Sequence, residues 1–167
     1  VTWPAGQRLE FQVRALEPVP KGSMRGFVVK GRAVITDSRS AELRLWERRI
    51  REAASLELAH RSLTMLREQP CEVHLVLWLV RPRGDFRADG ILRPRARSSP
   101  WVKPDIDKLQ RTVFDALTSC VIDDDSRIVR VVGEKRYVES ASQAGIAVRV
   151  IARAATVIEE WETSNER

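Results

Sequence analysis

Lys103-Pro-Asp-Ile-Asp-Lys-Leu-Gln-Arg-Thr-Val-Phe-Asp-Ala-Leu117 decides how this chain folds. Ile106, Leu109, Val113, Leu117 and, just beyond, Cys120 recur at spacings of three or four and so line one face of a helix; Asp107, Lys108, Arg111, Asp115 and Thr118 fall on the others. Upstream, Glu72–Val80 sets Val73, Leu75, Leu77 and Leu79 on one face and Val76, Trp78 and Val80 on most of the other. A strand buried on much of both sides is central in its sheet. Downstream, Arg127–Val138 and Gly145–Ala152 read as the last two strands.

Further out, Leu9–Leu16 alternates with period two until Pro18 and Pro20 end it, the pattern of a half-buried strand. Phe27–Ile35 reads as a hairpin turning at Lys30-Gly31. From Ser40, Leu43, Trp46, Ile50 and Ala54 predict a helix to about Leu66, with Ser55 as the place where it would break. Residues 81–103 hold Pro82, Gly84, Gly90, Pro94 and Ser98-Ser99-Pro100 among seven basic and two acidic residues. A long basic loop without regular structure is expected there, and such loops are commonly functional. Val157–Trp161 reads as a short terminal helix within a tail from about residue 154.

The 167 residues are 43% apolar and 31% charged, which is the composition of one folded domain spanning 1–167. The longest apolar run, Val76-Leu77-Trp78-Leu79-Val80, is far short of the roughly 20 residues that cross a bilayer. A cytoplasmic protein without a membrane partner is therefore expected. Lys+Arg exceeds Asp+Glu by 29 to 23, so a polyanion is the first partner to consider. Cys71 and Cys120 lack C-x-x-C spacing, and His60 and His74 complete neither a Cys/His ligand set nor a catalytic triad.

The chemistry-bearing residues are carboxylates in two tight groups flanking one helix: Asp105 with Asp107 before it, and Asp123-Asp124-Asp125 after it. If the chain stays extended through Asp107, residues i and i+2 point the same way and share one cation. If Pro104 is the first helical residue, the two diverge by about 200° at ~100° per residue. The extended form is favoured, because Pro104 disfavours helical Lys103 and Asp is a preferred N-cap. The second group lies ~20 Å from the helix start if the helix has about 13 residues, so an extended return or a partner subunit must bring Asp125 to the first. The plainer account makes Asp107 a helix cap and Asp123–Asp125 a solvated turn. Carboxylates within a Lys/Arg-rich chain fit a hard cation, naturally Mg²⁺, surrounded by phosphate-binding groups. Arg111 either contacts the scissile phosphate or pairs with Asp107 or Asp115 at i±4.

Lys103–Leu117, with Ile122-Asp-Asp-Asp-Ser-Arg-Ile-Val129 and Glu134-Lys-Arg-Tyr137, resembles the signature of the RusA-type Holliday-junction resolvases. The resemblance extends to Pro18-Val-Pro-Lys-Gly-Ser-Met-Arg25 and the basic loop, and covers most of residues 9–152. It implies an α+β fold, a mixed β-sheet flanked by helices, in a homodimeric Mg²⁺-dependent endonuclease acting on four-way DNA junctions by paired incision, with Mn²⁺ as the alternative ion. Asp105 and Asp107 match the family's Asp-x-Asp pair, Asp125 its third essential aspartate and Asp124 the acidic neighbour. Arg111 stands where lysine is common and Lys108 where asparagine is common; the first change alters the shape of the charge. DNA contact is expected of Lys21, Arg25, Arg81, Arg83, Lys103, Lys108, Lys135 and Arg136. Trp46, Trp78, Trp101 and Trp161 are the apolar candidates for the dimer interface. Two other functions compete: a non-catalytic basic DNA-binding or architectural protein, and a nucleotidyl- or glycosyl-transferase, against which the missing Gly-rich phosphate loop counts.

Overall fold

The computed structural model describes residues 2–22, 25–29, 31–36 and 40–154. The expected terminal helix at 157–161, with Trp161, lies outside them. Along the chain run β1 (Arg8–Arg14), β2 (Arg25–Val29), β3 (Arg32–Thr36), α1 (Ser40–His60), β4 (Cys71–Val80), α2 (Ile106–Leu117), β5 (Ile128–Val138) and β6 (Gly145–Ala152). Four strands form a mixed sheet in the order β1-β6-β4-β5, with β1 and β4 antiparallel to β6 and β4 parallel to β5; β2 and β3 pair as the expected hairpin. The α+β class and the interior position of β4 agree with the sequence.

One face of the sheet carries Leu9 and Phe11 of β1, Val73, Leu75 and Leu77 of β4 and Val148 and Val150 of β6, all buried. Trp46, Ile50 and Ala54 of α1 and Leu109, Val113 and Leu117 of α2 close over it as one apolar cluster. Trp46 is 0% exposed, so it is core and not an interface residue. Trp78 lies on the other face with the Arg14 guanidinium stacked 3.4 Å from its ring centre.

Two helix ends differ from the expected ones. α1 is continuous through Ser55 but stops at His60 instead of near Leu66. Ser62 takes a left-handed φ of 54° while Leu63 N donates to Leu58 O and Ser62 N to Ala59 O, a C-terminal cap that outweighs the apolar periodicity. Leu66 is then free to bridge Ile122. α2 stops at Leu117, short of Cys120, where Thr118 turns extended and Ser119 adopts a φ of 64°.

The parallel pairing of β4 with β5 runs α2 back across the sheet, and Gly133 on β5 is where they come closest. A β-carbon there would lie 2.3 Å from the Gln110 side-chain nitrogen. Because that atom ends a flexible side chain, Gly133→Ala should leave stability within about 1 kcal/mol of wild type in urea denaturation. A loss above about 2 kcal/mol would mean that Gln110 is fixed in place.

Candidate active site

Asp105 is the N-cap of α2, with φ −69° and ψ 139°, and Asp107 lies in the first turn. The observed geometry matches neither sequence alternative in full: the chain is extended through Asp105 only, and helical from Ile106. An N-cap aspartate ordinarily accepts a hydrogen bond from the first turn. Asp105 makes no such bond. Its carboxylate instead lies 3.4 Å from Lys108 Nζ. Asp107 is exposed, and the partial positive charge of the helix N-terminus favours both carboxylates.

The approach to Asp105 is tied down by Lys135 on β5, whose Nζ donates to Val102 O and Pro104 O at 2.9 Å each. Lys21 N donates to Lys108 O at 3.2 Å, and the Lys21 ammonium pairs with Asp115. Beside them opens a cleft of about 770 Å³ lined by charges of both signs, Glu17, Glu42 and Asp105 with Lys21, Lys103 and Lys108.

The second acidic group is at the far end of the crossover, and its three members differ. Asp123 accepts from Arg127 Nε and Nη2 at 3.0 and 3.2 Å and from Glu68 N at 3.3 Å. The Arg127 hydrogen bonds hold its carboxyl below the usual carboxylate range. Asp124 caps the short 3-10 turn Asp125–Arg127 by accepting from Ser126 N at 2.9 Å; the Ser126 side chain first, and then this backbone bond, hold its carboxyl below the usual carboxylate range. Asp125 is exposed and has no ion pair or side-chain hydrogen bond among the described residues. Since Lys135 fixes the level of Pro104, the seven strand residues back to Ile128 put Asp125 roughly 20 Å from Asp105. Among the described residues of one chain, no group of three or more potential metal ligands forms. The separation foreseen from the helix length is real.

Mg²⁺ tolerates a sparse protein shell, commonly one or two carboxylates completed by water and phosphate oxygens. Asp105 and Asp107 fit it, as hard oxygen donors not spent on capping. Cys71 does not compete, because burial, aided by the Asp123 charge, pushes its thiol up to about 11.

Many of the cations expected at DNA already have partners within the chain, which the sequence could not reveal. Arg81 bonds Asp85 at 3.2 Å and Arg97 O at 2.7 Å and stacks over Tyr137. Arg136 is bidentate on Glu134 at 2.6 and 2.8 Å. Lys21, Lys108 and Lys135 are engaged as described above. Arg83, Lys103 and Arg111 have no ion pair or side-chain hydrogen bond among the described residues; Arg111 thus pairs with neither Asp107 nor Asp115. Arg25 lies on β2.

The basic loop also has more structure than expected. It contains the 3-10 turn Arg83–Asp85, a Phe86–Leu92 bridge and a turn at Gly90 with φ 80°. Its two acidic residues pair with Arg81 and Arg87, and Trp101, 72% exposed, stands under Arg97. Arg95, like Arg83, has no partner among the described residues.

A basic α+β domain with Asp105 and Asp107 at the start of one helix, next to a cleft lined by charges of both signs, has the features of a DNA-directed hydrolase. Residues 15–151 match the family Endodeoxyribonuclease RusA, and the chain belongs to that family. It is thereby an endodeoxyribonuclease of the Holliday-junction-resolving kind, and its substrate class is branched DNA. A search of curated proteins finds no match. Among the described residues, no helix is long and apolar enough to cross a membrane.

Proposed function

We propose that this endonuclease is Mg²⁺-dependent, with Mn²⁺ as a substitute, and resolves four-way junctions by paired incision as a homodimer of single-domain chains. The observation that carries the proposal is the uncapped Asp105 beside exposed Asp107 at a helix N-terminus. These two carboxylates hold the ion, and Asp125 is the third acidic group. The bound ion supplies water activation and neutralises charge on the attacking and leaving oxygens. Arg111, one turn after Asp107 and unpaired, meets the phosphate at the cut. Lys108 balances the carboxylate charge before DNA arrives, and Lys103 and Arg83 contact phosphates at the rim. Asp124 caps the turn that presents Asp125 and stands beside it in the ligand set.

Purified protein incubated with a four-way junction, a fork and a plain duplex, with and without Mg²⁺, tests the proposal. Symmetric nicks in the junction only, dependent on the ion, are expected. Equal cutting of all three, or cutting in chelator, would refute it. The loop makes a separate contribution. Arg83→Ala with Arg95→Ala should reduce the slope of log affinity against log salt by about 2, roughly one per lost phosphate contact. An unchanged slope in filter-binding titrations would leave the loop a solvated insertion.

A further inference from the structure

We infer that Trp101, with Arg97 behind it, is a stacking platform for one unstacked nucleobase at the branch point, and that this subsite sets the preference for a junction over a plain duplex. The inference rests on the junction reading above and adds a residue that the carboxylate and phosphate chemistry leaves unused. Trp101 is 72% exposed, whereas Trp3 and Trp46 are buried and Trp78 is half-buried beneath Arg14. An exposed indole beside the loop arginines Arg93, Arg95 and Arg97 suits a base, because every base presents an aromatic face. Grooves that bind unpaired strands combine cations with such rings.

The ring is held in place as well as exposed. The Arg97 guanidinium lies 5.2 Å from the ring centre, a cation–π contact, and has no ion pair among the described residues. Arg97 O accepts from Arg81 Nη1 at 2.7 Å, and Arg81 N donates to Val138 O at the end of β5. Around the indole, Pro100 is buried, Trp101 N donates to Ser99 O at 3.0 Å, and Lys135 of β5 holds Val102 O and Pro104 O. Both anchors lead to β5, so the pair is ordered before a base arrives and loses little freedom on binding. Apart from Arg97, the indole has no ring contact or side-chain hydrogen bond among the described residues.

Position selects the ligand. Four residues separate Trp101 from Asp105, at most about 14 Å of chain, and each nucleotide advances about 3.4 Å along a strand. The base that reaches the ring therefore lies within about four nucleotides of the phosphate held at Asp105. In a duplex every base in that range is covered by its neighbours, and extruding one is costly. At a branch point the stack is already interrupted. The same ring then meets a base face in the junction and none in the duplex.

Equilibrium binding in chelator, where no strand is cut, tests the subsite. Trp101→Ala should lower the ratio of junction to duplex affinity about tenfold with the salt slope unchanged, because stacking releases no counterions. Trp101→Phe should restore most of the preference. Since little of the ring is buried, the fold should survive both changes. A single abasic site is then moved through about four nucleotides on each side of the branch. At one position wild type should lose about tenfold and Trp101→Ala nothing further, a coupling that reports direct contact.

An unchanged preference in Trp101→Ala would overturn the platform and leave the junction reading intact. No preference for the junction in wild type would remove both. Loss of preference without a coupled abasic position, or with altered sedimentation, would make Trp101 a support of the loop or a contact between copies, and would overturn the platform too.

Discussion

Asp105→Asn or Asp107→Asn should lower the rate of junction cleavage by about three orders of magnitude while leaving junction binding intact or tighter. The rate falls because a bound Mg²⁺ supplies several kcal/mol of charge stabilisation and tenfold in rate corresponds to about 1.4 kcal/mol. Binding survives because an amide removes a repulsive charge next to phosphate. The fold should survive as well: Asp105 accepts no capping hydrogen bond and its one ion pair is half-exposed, so little stability depends on it. Single-turnover cleavage with excess protein, alongside gel-shift titration of the same junction, separates the two quantities. Wild-type rates in either variant would remove the pair from the chemistry. Loss of binding in parallel with cleavage would make them structural.

The elements that the sequence revealed are those whose order is local. Val73 to Leu79 alternate and are buried at every odd position, and Leu109, Val113 and Leu117 repeat at helical spacing and form the floor of the core. The end of α1 was hidden, because Leu63 and Leu66 prolong the apolar spacing whereas the stop depends on the backbone of Ser62. The start of α2 was missed by two residues for a related reason: aspartate marks a cap in general, and which of two aspartates serves depends on how Lys103-Pro104 enters.

The candidate site was legible in its residue types but not in its assembly. Asp105 and Asp107 stand at the start of one helix because they are two residues apart in sequence, whereas Asp125 follows the far end of that helix. How Asp125 stands to that pair depends on tertiary geometry that no spacing along the chain encodes. Net charge was informative in the same limited way. It pointed correctly to a polyanion, but it could not tell Arg83, which has no partner among the described residues, from Arg81, which is spent on Asp85 and the loop backbone. Only a tertiary partner distinguishes two arginines of the same run.

Lys135 makes that distinction testable. If it contacts DNA, as its family match implies, Lys135→Met should weaken junction binding and reduce the salt slope by about one. Its ammonium is instead committed to Val102 O and Pro104 O, so a different outcome is expected. Hydrogen bonds from a charged donor are worth about 1.5–3 kcal/mol each, and two carbonyls lose theirs at once. The segment entering α2 should loosen and Asp105 should shift. A misplacement of about 1 Å in a reacting geometry can cost about a hundredfold in rate. Cleavage at saturating protein should therefore fall between about tenfold and a hundredfold, with the salt slope unchanged, under conditions where sedimentation gives the same assembly as wild type. Lys135→Arg would not restore the rate, since a planar guanidinium cannot reproduce an ammonium held between two carbonyls. A unit drop in the salt slope with normal turnover would return Lys135 to the DNA surface and leave the segment before Asp105 held by the Lys21–Lys108 backbone bond.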